Sequence, residues 1–252
     1  MAAPPSNKFQ WDYDVPNDEF WNSLPFATGR NFLQCFEESE IRALSAQFDA
    51  SQSVDDKHRL LLRLTLEKLS PAEAGAKAQA QGDASPNSTD TQLPLYQRDF
   101  DAWQKLMLAL ETMQHQLGLA AEEEQTLAEM LAHPRPGQDR NWSALHMMAR
   151  LLERQGRFAE AERAAEEVRP WMEAHPQVGR GSPPAMGNMR MILTAVWRQG
   201  RFGDGRRLYE EMRAPVEGMG ETKFAQYQEE EGHMLETLMA GLERWRDDVR
   251  KQ

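Results

Sequence analysis

The sequence predicts an all-α protein built of helical hairpins stacked side by side, and three features carry that prediction. The first is repetition. Between Asn141 and Met212 an amphipathic helix pattern, the tetrapeptide Gln-Gly-Arg-Phe and a second amphipathic pattern occur in order, and then occur again. Gly156 and Gly200 hold equivalent places, a period of 44 residues. Repetition at that scale is the mark of stacked supersecondary units, none of which buries its apolar face alone. The second feature is spacing. Leu145, Met148, Ala149 and Leu152 fall on one helical stripe, as do Met189, Ile192, Leu193 and Val196. The third is a strong helical run upstream, through Phe100, Trp103, Met107, Leu110, Met113 and Leu117, which ends at Gly118.

Each repeat reads as two helices and a corner. Gly156 and Gly200 stand where a helix ending in a left-handed residue favours the absence of a Cβ. Phe158 and Phe202 follow, placed to plug the top of the hairpin. The second helices continue through Ala161, Ala165 and Val168 in one copy and through Gly205, Tyr209 and Met212 in the other. Ala149, Ala161 and Gly205 are small enough for two helices to approach closely.

On these residues the pattern resembles the tetratricopeptide repeat. The first copy matches better; in the second, Leu193 replaces a small residue, and the period exceeds the usual ~34 residues. It is similar to the long-repeat variety found in kinesin light chains. The resemblance covers about 70 residues clearly, is nearly silent on function, and implies a right-handed α-solenoid. In such proteins the first helices of successive units line a concave groove. Carried over by position, the groove side comprises Ser143, His146, Arg150 and Arg154, then Arg190, Thr194, Trp197 and Arg198.

Taken in order, residues 1–36 form an aromatic arm. Pro4, Pro5, Pro16 and Pro25 preclude a long helix there, while Phe9, Trp11, Tyr13, Phe20, Trp21 and Phe26 call for burial. The expectation is an irregular segment with at most one helical turn near Asn17 to Ser23, its aromatics either fastening the arm or walling a pocket. Residues 37–71 read as a helical hairpin: a helix from a Ser39 cap with Ile41, Leu44 and Phe48, then one from Ser53 with Leu61, Leu62, Leu66 and Leu69 inward, stopped by Pro71. Residues 72–96 carry no large apolar side chain before Leu93 and read as a linker, with its Ala-rich start able to extend the preceding helix. Residues 97–252 hold the repeats: a degenerate hairpin around Gly118, the two clear copies separated by a loop from His175 to Pro184, a loop marked by Pro215, Gly218 and Gly220, and a final sealing helix from Thr222 to Lys251.

Composition limits function. The chain has 252 residues and a net charge of −11, which argues against a nucleic-acid partner or an anionic membrane surface. No apolar run approaches the ~20 residues needed to span a bilayer. The first residues lack the features of a signal peptide, and the one cysteine, Cys35, allows no intrachain disulfide and reads as a small buried apolar group. The expectation is a cytoplasmic protein. No phosphate-cradling glycine loop, nucleophile elbow or paired cysteines occur, so no cofactor is expected. The six histidines lack zinc-motif spacing, so no metal is expected either. The fourteen methionines suit an irregular core.

Two classes of function fit. Four arginines on one expected groove, in a chain this acidic, suit bidentate capture of carboxylates, with Trp197 as an apolar wall. That is a non-catalytic module for an acidic peptide or protein, or for a small anionic ligand. The alternative is a cofactor-independent isomerase, cyclase or lyase with a pocket between the aromatic arm and the helical stack. Its acid/base candidates are His146, His233 and Glu229, the last two four residues apart on one helix. An open arginine-lined trough favours the first class; a closed apolar cavity with convergent ionisable groups favours the second. A homodimer through the final helix is a third arrangement the sequence allows.

Overall fold

A computed structural model describes residues 13–80 and 93–251, with backbone alone for 71–80. Every regular element among them is helical. The chain divides into two compact units, Met1–Arg140 and Asn141–Gln252.

The first unit contains α1 (Glu19–Asn22), α2 (Phe26–Leu33), α3 (Glu38–Leu44), α4 (Val54–Ala80), α5 (Leu95–Arg98), α6 (Phe100–Gln116) and α7 (Ala120–Ala132). The expected irregular arm is therefore partly helical. Pro25 does not prevent α2; it stands at its N-cap, where a fixed φ and a missing N–H cost nothing. The arm's described aromatics divide: Tyr13 and Phe26 are exposed, against expectation, and the others serve a core. Phe20, Trp21 and Phe32 are buried with Leu24, Leu33, Leu61, Leu64, Ala109 and Met113, and Trp21 meets Phe48 edge-on at 5.2 Å. Phe9 and Trp11 lie outside the described residues.

Three further expectations are corrected here. The first hairpin helix is capped by Glu37, two residues before Ser39, because Glu37 and Glu40 form a reciprocal capping box. On α4 the inward stripe is Leu61, Leu64 and Thr65, whereas Leu66 is 47% exposed. Nor does Pro71 end α4; the helix continues to Ala80 through the start of the expected linker, and 81–92 lie outside the described residues. The Ser53 cap holds as read, its hydroxyl accepting from Asp56 N at 3.1 Å. Cys35 packs against the core with its thiol pushed up to about 12 by burial, which leaves it unreactive.

The second unit contains α8 (Trp142–Arg154), α9 (Phe158–Ala174), α10 (Pro183–Arg198), α11 (Phe202–Glu217) and α12 (Gln228–Val249). Helices adjacent in sequence pack together, and α10 also packs against α8 and α12. The two Gln-Gly-Arg-Phe corners have one geometry. Gly156 and Gly200 sit at φ +74° and +79°. Arg157 N–H donates to Leu152 O at 2.9 Å, and Arg201 N–H to Val196 O at 3.3 Å, a closure that satisfies carbonyls left open at a helix end. Each arginine then clamps the acid three residues on, Glu160 or Asp204, at 2.9 Å. Each phenylalanine lies under an arginine of a later helix, Phe158 under Arg198 and Phe202 under Arg246. Gly118, at φ +68°, closes the α6–α7 corner in the same way, with Leu119 N–H donating to Gln114 O at 2.9 Å.

The small residues do what close approach requires: Ala149, Ala161 and Ala165 are buried, and a Cβ on Gly205 would stand 2.6 Å from Trp197 Cε3. Pro215 is not a loop marker, since α11 runs through it to Glu217. A proline in the last turn removes one hydrogen bond without breaking the helix. The final helix is shorter than expected. Gly218–Glu221 and Ala225–Tyr227 form 3-10 turns, and α12 starts only at Gln228. No helix among the described residues is long and apolar enough to cross a membrane.

Candidate functional site

Helices α8, α10 and α12 border an open cleft of about 580 Å³. From α8 come His146, Arg150 and Glu153, which share a face because they stand four and three residues apart. Helix α10 gives Pro184, Gly187, Arg190, Met191 and Thr194, and α12 gives His233, Met234, Thr237 and Leu238. The walls thus mix methionine and leucine side chains with a few polar groups, and the volume lies in the range that holds ligands.

The polar groups differ in what they can offer. Arg150 is exposed and enters no ion pair among the described residues. Arg190 is committed: Nη1 bonds the carboxylate of Glu231, which is 2% exposed. Burial pushes the Glu231 carboxyl up, and the Arg190 bond and charge oppose that shift. Glu153 is also raised by burial, against the charges of Arg150, Arg154 and Arg198 and a hydrogen bond with Thr194. The Thr194 hydroxyl itself donates to Arg190 O at 2.9 Å. His146 is lowered to about 4, first by burial and then by the charge of Arg150, with its bond to Asn188 acting the other way.

The cleft collects half of the expected groove. His146, Arg150, Arg190 and Thr194 line it, and Ser143, Arg154, Trp197 and Arg198 do not. Trp197 is fully buried rather than a groove wall; its indole N–H donates to Leu242 O at 2.9 Å, in the space Gly205 leaves. Arg198 lies 4.5 Å over the Trp245 ring, with its Nε buried and unpartnered among the described residues. The cause is shared: the C-terminal half of α12 covers the end of α10, so only the earlier turns of α10 face the cleft. Ser143 is half-buried and Arg154 exposed, both away from the cleft.

Of the acid/base candidates, His233 is exposed at the cleft and Glu229 is exposed outside it. Among the described residues no three His, Cys, Asp or Glu side chains converge as ion ligands. The acidic members were the ones missed. Glu153 stands one turn beyond Arg150 on the same face. Glu231 belongs to a triple-glutamate run that reads as a solvated face, yet it also continues the apolar series Leu235, Met239 and Leu242 backwards at helical spacing, which was the signal for burial.

No family model matches this chain, and no curated protein or solved structure matches it significantly. What stands is the class: a protein whose described regular elements are all helical, with repeated hairpin corners and an open, mixed-polarity cleft.

Proposed function

We propose that this protein is a cytoplasmic interaction module, a right-handed stack of tetratricopeptide type, whose Asn141–Gln252 unit binds an acidic peptide or protein segment. The observation that carries the reading is Arg150. It is an exposed guanidinium without an ion pair among the described residues, beside an open cleft walled by Met191, Met234 and Leu238. Arginine recognises carboxylates through paired N–H donors, and adaptable methionine walls suit apolar side chains next to the acid. The groove is narrower in its chemistry than four arginines suggested, because Arg190 is held by Glu231 and Arg198 by aromatic rings. The acid/base reading has less support. The cleft is open, and a ring with a pKa of about 4 is a weak base at neutral pH.

The test is selection of a phage-displayed dodecapeptide library on the immobilised full chain. Wild type is expected to enrich Asp or Glu flanked by Leu, Met or Phe. Arg150→Glu should lose that enrichment, and Arg154→Glu, outside the cleft, should keep it. Acidic peptides retained by Arg150→Glu would overturn the reading.

A further inference from the structure

One side chain in the cleft is oriented from behind. Asn188 is 1% exposed. Its Nδ2 donates to Ala165 O at 2.9 Å, and a carbonyl only accepts, so the amide nitrogen is fixed at that end. Its Oδ1 therefore faces His146 Nδ1, at 3.2 Å. An amide oxygen also only accepts, so Nδ1 must carry the ring proton. Nε2, on the opposite edge of the ring, is left with a free lone pair, and His146 lines the cleft. Of the neighbouring groups, Arg150 only donates, and the Thr194 hydroxyl gives its proton to Arg190 O. Glu153 and the Thr194 oxygen, which keeps its lone pairs, are the other acceptors among these groups.

We infer that His146 is a specificity-determining residue that accepts a hydrogen bond from a ligand N–H next to the carboxylate taken by Arg150, with Asn188 as its positioning residue. The inference rests on the acidic-peptide reading and narrows it: in a peptide, the N–H closest to the carboxylate is the acidic residue's own backbone amide. Burial strengthens the assignment, because it keeps the ring neutral down to about pH 4 and so an acceptor throughout the neutral range.

Long-range ¹⁵N spectra of histidine-labelled full chain at pH 7 should show the His146 proton on Nδ1 and a bare Nε2. The probes are the acetylated, amidated tripeptide Leu-Glu-Leu and its analogue N-methylated at the glutamate amide. The first should shift the Nε2 resonance. The second should bind roughly five- to tenfold more weakly, the effect of one neutral hydrogen bond. His146→Phe should bind both alike; should that variant misfold, the wild-type tautomer and the methylation contrast decide. A proton on Nε2, or equal binding of both peptides to wild type, overturns the inference and leaves the acidic-peptide reading standing. If neither peptide perturbs Arg150 or Thr194 at millimolar concentration, the acidic-peptide reading falls and the inference falls with it.

Discussion

At pH 7 the His146 ring is neutral in the folded and the unfolded chain alike, and the two part company only below that. The unfolded ring takes up its proton near pH 6.5, the folded one near 4. Between these values the unfolded chain binds the extra proton. The stabilising contribution is therefore whole above pH 6.5 and is lost as pH falls to 4, by roughly 2–3 kcal/mol. His58, lowered mainly by burial, acts in the same direction. Urea unfolding at pH 7 and pH 4 should show His146→Phe losing about 2 kcal/mol less than wild type over that interval; parallel losses would mean that the ring is not held neutral. The Arg190–Glu231 pair makes a second residue-scale case. Glu231→Leu leaves Arg190 partly buried without its counter-charge and should cost roughly 3 kcal/mol. Adding Arg190→Met should restore most of that, since an apolar pair of similar volume removes the desolvation penalty; urea midpoints of the single and double variants measure the recovery.

At the scale of elements, the corners were legible and the helix ends were not, for a physical reason. A positive φ at Gly156 or Gly200 is a demand made by one residue on its own backbone, so it shows in a single sequence. The end of α11 depends on whether Pro215 falls in a helix interior or a last turn, and the start of α2 on whether Pro25 precedes or interrupts the helix. Both are set by packing elsewhere. The expected groove failed in the same way. Helical spacing put Trp197 and Arg198 within reach of the face of Arg190 and Thr194, but it did not show that α12 lies over their turn. Gly205 and Gly203, in the first turn of α11, separate local from tertiary demands. Gly205→Ala drives a methyl against Trp197 and should cost about 1–3 kcal/mol. Gly203→Ala meets open space and should be neutral or stabilising by up to ~1 kcal/mol, because alanine is the better helix former. Thermal or urea unfolding of the two variants tests the contrast, and equal effects would remove Gly205 as the contact point of the hairpin.

For the whole molecule, composition pointed to a break within 72–96, whereas the boundary between compact units falls between Arg140 and Asn141. Helix α6 explains the position. It buries Trp103, Leu106, Met107, Leu110 and Met113, and it packs against α2, α4, α5 and α7. A helix enclosed on so many sides belongs to the core it fills, even though its Gly118 corner has repeat geometry. The sequence showed that stripe, but not the helices that cover it. The cleft, by contrast, draws all its lining from His146 to Leu238, within the second unit. The Asn141–Gln252 fragment keeps the Asn141 side-chain cap on α8 and every corner that shapes the cleft. Expressed alone, it should therefore unfold in one cooperative transition and enrich the same acidic dodecapeptides as the full chain, with the same loss in Arg150→Glu. Circular dichroism melting followed by the library selection measures both. A fragment that folds cooperatively yet enriches no acidic peptide, while the full chain does, would show that the binding surface includes residues before Asn141.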